Sequence, residues 1–129
     1  MIDNQNTIIS IISSRDLRGL HRDLREYLSD DVEYCVVANR PEAPLWRQIK
    51  GAERVAEYLG IIPLMYEITE RKVNSVVQDG ALTVVMGHDL AKTYENPQSF
   101  RTDWTAILRI QSGKICRIQY VFQNWQYAA

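Results

Sequence analysis

The sequence predicts an α+β fold in which a concave antiparallel sheet is covered by helices. Residues from Arg101 to Gln123 alternate between apolar and polar side chains, which is typical of two long strands joined by a tight turn, here at Ser112-Gly113. From Asn4 to Leu28 the apolar residues recur at helical spacing instead. Helices followed by a run of hairpin-linked strands indicate an α+β protein rather than a βαβ protein.

The first third of the chain predicts two helices, one strand and a loop. Ser13-Ser14 followed by Arg15-Asp16 breaks the helical pattern and offers a new N-cap. Residues 32–38 alternate and predict the first strand. Residues 40–50 contain two prolines, so we expect a loop there.

The middle of the chain predicts a third helix and two further strands. The helix is expected to begin at Gly51 and to stop at Gly60 and Pro63. Residues 64–94 predict two strands joined by a hairpin turn at Asp79-Gly80. With the final hairpin, four consecutive antiparallel strands follow the third helix.

Size and composition narrow the possible functions. The 129 residues suit a single domain spanning 1–129, and 46% of them are hydrophobic. A formal net charge of -1 gives no basis for binding nucleic acid or an anionic membrane. The apolar cluster near the N-terminus is too short to span a bilayer and lacks signal-peptide flanks, so we expect a cytoplasmic protein. Cys35 and Cys116 lack metal-site spacing and are expected to be buried free thiols.

Three segments resemble the nuclear transport factor 2-like superfamily, and within it the SnoaL-like, polyketide cyclase-like group. They are the entry to the first strand at Tyr27–Tyr34, the entry to the third helix at Lys50–Val55, and the turn of the last hairpin at Ser112–Ile115. The resemblance implies a cone-shaped α+β barrel with a curved antiparallel sheet packed on N-terminal helices. It also implies a deep apolar pocket and a homodimer formed through the outer sheet face.

The acids that the resemblance implies are missing from this chain. In the isomerase-like members of the superfamily, the general base is an aspartate that follows the first strand. This chain has Val36, Val37 and Ala38 there. SnoaL-like cyclases commonly place an acid on the last strand, where the counterpart is Tyr120. The familiar mechanisms of the family therefore do not transfer to this chain residue by residue.

His88 is the first candidate catalytic residue. Strand alternation groups it with Leu82, Val84 and Met86, which we expect to face the pocket. Imidazole titrates near physiological pH and can act as an acid or a base. The alternative, a partly buried histidine that only finds a hydrogen-bond partner, is the commoner situation.

Aromatic residues supply the remaining candidates for the site. Tyr34 and Tyr120 are expected to face the pocket beside His88, where their phenols could hold a carbonyl or an oxyanion. Five further residues are predicted to contact the ligand. Trp46 is expected to form a lid over the pocket, and the wall is expected to contain Tyr58, Met86, Trp104 and Phe122. The alternative for each aromatic residue is ordinary packing, or for Trp46 an anchoring contact in its loop.

Two hypotheses of function follow from these residues. The first is a small-molecule-binding protein with a hydrophobic pocket, working as a cyclase, isomerase or lyase without a cofactor, since the chain has no phosphate loop, nucleophile elbow or metal-ligand cluster. The second is a non-catalytic dimerisation or interaction module that uses the outer sheet face. Alternation places on that face Asp89, Asp103, Val85, Ile107 and Val121.

Overall fold

The computed structural model describes residues 4–41, 44–94 and 97–128, and shows three α-helices against one curved, open sheet of six strands. The predicted α+β fold is therefore confirmed. The helices are α1 (Asn4–Ile12), α2 (Leu17–Leu24) and α3 (Ala52–Met65), with a 3₁₀ turn at Arg25–Tyr27. The strands are β1 (Leu28–Ala38), β2 (Leu45–Lys50), β3 (Tyr66–Asp79), β4 (Leu82–Thr93), β5 (Ser99–Gln111) and β6 (Lys114–Tyr127).

The sheet order is β2-β1-β6-β5-β4-β3. Every neighbouring pair is antiparallel except β1 and β6, which run parallel. The first and last strands, β1 and β6, are therefore neighbours in the interior of the sheet. The helices then cover the concave face, where the buried residues Ile8, Ile12, Leu24 and Val55 contact the strands.

The break between the first two helices forms as the sequence predicts. The Asp16 carboxylate caps α2 by accepting a hydrogen bond of 3.1 Å from the backbone N–H of Gly19. The turn of the last hairpin also forms at Ser112 and Gly113, which both have positive φ angles of 54° and 74°. Positive φ at both central residues is the requirement of a type I′ hairpin.

Two predicted boundaries are wrong. The loop over residues 40–50 contains the edge strand β2, because both prolines precede its first residue, Leu45, and the strand pairs with β1; residues 42–43 of this loop lie outside the described residues. The third helix passes Gly60 and Pro63 and ends at Met65. Pro63 lies in the last turn, where the missing N–H removes little of the helix.

The predicted orientation of β4 is also wrong. The buried residues of this strand are Thr83, Val85, Gly87, Asp89 and Ala91. Both faces of β4 are apolar in sequence, so alternation alone does not identify the inner face. Its pairing with β5 decides, because Gly87 lies opposite the buried Trp104. A Cβ atom at Gly87 would clash with the carbonyl oxygen of Lys72 and lie only 2.8 Å from Cζ2 of Trp104, so only glycine fits between the neighbouring strand and the indole.

Candidate functional site

A cavity of about 440 Å³ lies between the concave face of the sheet and helices α2 and α3. Its wall is largely apolar, with residues such as Leu20, Val36, Leu59, Ile62, Phe100 and Phe122. The volume and the character of this wall match those of small-molecule sites. The few polar side chains in it therefore determine which molecules fit.

A buried ion pair between Arg71 and Asp89 forms part of the cavity wall. The guanidinium binds the carboxylate through two hydrogen bonds, Nε to Oδ1 at 2.8 Å and Nη2 to Oδ2 at 2.7 Å. Both side chains are only 4% exposed. The third nitrogen, Nη1, donates to the carbonyl oxygens of Ile12 at 3.0 Å and Ser14 at 3.4 Å. Arg71 therefore joins the sheet to the C-terminal end of α1.

Trp104 completes this arrangement, which we call the ion-pair cluster (Arg71, Asp89 and Trp104). Its indole Nε1 donates to Oδ1 of Asp89 at 2.9 Å, and the Arg71 guanidinium lies 4.7 Å from the ring centroid. Burial alone would lower the pKa of Arg71, but the hydrogen bonds and charge of Asp89 outweigh it and raise that pKa. The ion pair between Arg71 and Asp89 therefore finds its hydrogen-bond partners within the protein, from Trp104 and from the end of α1.

Tyr34 and Tyr120 lie beside the ion-pair cluster and line the cavity. Their ring centroids are 6.1 Å apart, and the residues are only 2% and 7% exposed. Among the described residues, neither hydroxyl has a hydrogen-bond partner. Burial raises the pKa of Tyr34 well above its ordinary value and that of Tyr120 to about 12. Both phenols are therefore neutral hydrogen-bond donors at physiological pH.

Tyr58 continues this row of phenols toward the edge strand β2. Its ring centroid lies 5.3 Å from that of Tyr34, and the Arg47 guanidinium lies 5.7 Å from it on the other side. Burial raises the pKa of Tyr58, while the charges of Arg47 and Arg40 act in the opposite direction. Both arginines also line the cavity at this end.

The other end of the cavity is aromatic. Phe100 and Trp125 stack with their centroids 4.2 Å apart and an angle of 8° between the planes. Phe122 stacks on Tyr120 in the same way, at 5.7 Å and 9°. Such parallel ring faces suit a flat, unsaturated or aromatic ligand.

The structure separates the residues that the sequence placed in one site. Tyr34, Tyr58, Tyr120 and Phe122 line the cavity, and Trp104 lies behind it in the ion-pair cluster. Three others do not reach the cavity, namely His88, Met86 and Trp46.

The predicted pocket position of His88 is wrong, because the inner face of β4 carries Asp89 instead. Met86 lies on the outer face with it, 36% exposed. Trp46 pairs with Val37, an outer-face residue of β1, and is 66% exposed. It therefore does not cover the cavity.

Sequence reasoning missed Arg71 and Asp89. Arg71 lies in the charged run 67–72, which is typical of a solvated surface, and alternation places Asp89 on the outer face once His88 is placed on the inner one. One signal could have identified the inner face of β4. Gly87 has the parity of Asp89, and a glycine in mid-strand often marks a close approach by another group, here Trp104.

Other site types are not found in the described part of the chain. Residues 4–41, 44–94 and 97–128 contain no group of three or more histidine, cysteine, aspartate or glutamate side chains that could hold a metal ion. Within the same ranges no helix is both long and apolar enough to cross a membrane. Cys35 and Cys116 are free thiols, as predicted, but are only partly buried.

No protein-family profile matches the sequence, and no curated protein is significantly similar to it. Solved structures do match. An NTF2-like protein from Burkholderia xenovorans LB400 has a TM-score of 0.71 at 20% identity, covering 92% of this chain and 90% of that one. A candidate SnoaL-like polyketide cyclase from Jannaschia sp. CCS1 has a TM-score of 0.72 at 14% identity, covering 93% and 85%.

An LEH-like epoxide hydrolase from M. tuberculosis is similar over 91% of this chain and 80% of that one, with a TM-score of 0.66 at 16% identity. At these identities the likeness concerns the fold, and the activities named for these proteins are their own. The helix-covered curved sheet, its strand order and these matches agree with one another. The chain has the nuclear transport factor 2-like fold that SnoaL-like proteins share.

Proposed function

We propose that the protein binds a flat, largely apolar small molecule whose carbonyl oxygen accepts hydrogen bonds from Tyr34 and Tyr120. The observation that carries this proposal is the pair of buried tyrosines in the cavity wall, whose hydroxyls have no partner among the described residues. Two neighbouring phenols that line the cavity can both donate to one acceptor oxygen of a bound molecule. A ligand with a carbonyl oxygen therefore suits this wall better than one without an acceptor.

The same geometry supports a cofactor-independent reaction of the cyclase, isomerase or lyase type. Two neutral phenols that donate to one carbonyl oxygen stabilise negative charge as it develops there, which is how an oxyanion hole works. Tyr34 and Tyr120 are the proposed catalytic residues, and His88 has no part because it lies on the other face of the sheet. Structures of the same fold include proteins named as an epoxide hydrolase and as a candidate polyketide cyclase, which supports a small-molecule substrate.

A matched pair of ligands tests the proposed hydrogen bonds. In 2-acetylnaphthalene the carbonyl can accept hydrogen bonds, whereas 2-isopropenylnaphthalene has nearly the same shape and no acceptor. We expect the ketone to bind roughly 5- to 30-fold more tightly in a titration of tryptophan fluorescence, the equivalent of one or two net hydrogen bonds.

The double substitution Tyr34→Phe/Tyr120→Phe should abolish this preference while leaving binding of the alkene almost unchanged. Tyr27→Phe is the matched control, because Tyr27 is half-buried beside the core and does not line the cavity. Equal affinity of the wild-type protein for the ketone and the alkene would contradict the proposal, and so would a preference that survives in the double variant.

A second proposal concerns assembly, and the outer sheet face supports it. Two adjacent rows of paired residues cross this face without a charged side chain. One row runs Trp46, Val37, Val121, Thr105, Met86, Ser75, and the next runs Gln48, Cys35, Gln119, Ile107, Val84, Val77. Val85, which the sequence placed here, is wholly buried on the inner face instead.

Charged residues flank this band on both sides. Glu33, Arg117, Arg109 and Asp79 lie along one side of it, and Asp103 and Lys72 lie along the other, with His88 between them. We propose that the band packs against the same band of a second copy, because an apolar centre with a polar rim is typical of protein interfaces. This would make the protein a homodimer, as the resemblance implies.

Ile107→Lys should weaken the proposed dimer by about 100-fold or more, since it would bury an unpaired ammonium at the centre of the interface. The measurement is sedimentation velocity over a range of protein concentrations. Leu82→Lys is the control, because Leu82 lies on the same face but in a flanking charged row opposite Arg109. A wild-type protein that stays monomeric at all concentrations would contradict the proposal.

A further inference from the structure

Arg47 is placed to contact a bound ligand at the β2 side of the cavity. It pairs with Val36, whose side chain is buried on the inner face, and it lines the cavity. Its guanidinium lies over the Tyr58 ring at 5.7 Å. Among the described residues it forms no ion pair. One positive charge is thus held against an aromatic wall, and no carboxylate of residues 4–41, 44–94 or 97–128 pairs with it.

Among the described residues that line the cavity, no free carboxylate faces this charge. Asp89 is the one acidic side chain among the described residues of the lining, and both its oxygens are bound by Arg71. Arg40, a second arginine of the lining, acts on the same phenol as Arg47. A neutral ligand would leave the Arg47 guanidinium without an ionic partner.

We infer that the natural ligand is an apolar ring compound with a carboxylate, which binds at Arg47 while its carbonyl binds at Tyr34 and Tyr120. This inference rests on the proposed function and adds the chemical class of the ligand. A carboxylate matches the Arg47 guanidinium, because arginine binds that group in a planar, bidentate manner.

The spacing of the aromatic residues sets the shape of such a ligand. From Tyr120 to Arg47 the cavity wall passes through three successive contacts, 6.1 Å to Tyr34, 5.3 Å to Tyr58 and 5.7 Å to the guanidinium. This path is long enough for a fused ring system between the two polar ends. The ligand class is therefore an aromatic or polycyclic keto acid.

The test compares 6-acetyl-2-naphthoate with neutral 2-acetylnaphthalene. In the wild-type protein we expect the acid to bind about fivefold more tightly, since a solvent-exposed ion pair contributes up to about 1 kcal/mol. Arg47→Gln should remove this preference, so that the acid and the neutral ketone bind with equal affinity. Arg109→Gln, which removes one positive charge from the opposite face of the sheet, should keep the preference.

Three outcomes overturn the inference. A wild-type protein that binds the neutral ketone but gains nothing from the carboxylate leaves the proposed function standing and removes this inference alone. A preference for the acid that Arg47→Gln and Arg109→Gln reduce equally would show general electrostatic attraction rather than a site at Arg47. If neither compound binds, the proposed function fails and the inference fails with it.

Discussion

Replacing Arg71 with methionine should lower the free energy of unfolding by about 3–5 kcal/mol, the usual cost of leaving one partner of a buried ion pair unpaired. The structural reason is that the Asp89 side chain is only 4% exposed and would lose both hydrogen bonds from Arg71. The variant would also lose the contacts of Arg71 with the carbonyls at the end of α1. Urea denaturation followed by circular dichroism measures the change.

The double variant Arg71→Met/Asp89→Leu should recover a large part of this loss, because it removes both charges together. Replacing a buried ion pair by apolar residues of similar size is often nearly neutral. Glu67→Gln is the surface control, since the ion pair of Glu67 with Lys92 is about half exposed and should contribute less than about 1 kcal/mol. If Arg71→Met also lowered the free energy of unfolding by less than about 1 kcal/mol, the importance assigned to the buried ion pair would be contradicted.

Trp104→Ala should cost a similar amount, about 3–5 kcal/mol, because the indole is 2% exposed and fills the space above Gly87. It would also remove the hydrogen bond from Nε1 to Asp89 and the ring that the Arg71 guanidinium covers. The same denaturation experiment measures the loss. We expect a smaller apolar side chain to leave a void that the rigid sheet cannot close.

Trp104→Phe separates the two contributions, since it keeps much of the packing but removes the N–H donor. We expect it to cost about 1–3 kcal/mol, clearly less than Trp104→Ala. Trp46→Ala is the control, because Trp46 is 66% exposed and should be nearly neutral in the monomer. If Trp104→Phe were as damaging as Trp104→Ala, the role assigned to packing would be wrong.

Long alternating strands made most of the fold predictable from the sequence. On β5 the buried residues 102, 104, 106, 108 and 110 follow the predicted alternation without interruption. The polar face of the hairpin, with Asp103 and Arg109, was likewise correct. The turn at Ser112-Gly113 was predictable from its residues, whereas the register shift between Arg109 and Ile110 just before it was not.

The position of Arg71 in the cavity wall was not predictable in the same way, because the pairing of β3 with β4 is irregular. Ile68 and Arg71 both point inward, although they are three residues apart and simple alternation would place them on opposite faces. A register shift between Ile68 and Glu70 makes this possible. The shift has no strong sequence signal, so Arg71 was read as part of a solvated run.

The orientation of β4 failed for a different reason. Its two faces, Leu82-Val84-Met86 and Thr83-Val85, are similarly apolar, so period-two reasoning had no basis for choosing between them. Tertiary pairing with Trp104 makes the choice in the folded protein. In the folded protein His88 therefore lies on the outer face of the sheet and Asp89 lies in the cavity wall. Tyr34 and Tyr120 belong to strands with one clearly apolar face, and both line the cavity as the sequence predicts.

The central claim is that Tyr34 and Tyr120 hold a ligand carbonyl, and the vibrational frequency of that carbonyl tests it most directly. Isotope-edited infrared spectroscopy of bound 2-acetylnaphthalene, with carbon-13 in the carbonyl, should show a stretch at lower frequency than in an apolar solvent, since donated hydrogen bonds weaken the C=O bond. In Tyr34→Phe/Tyr120→Phe the frequency should return toward the apolar value. A frequency in the wild-type complex equal to that in an apolar solvent would contradict the claim.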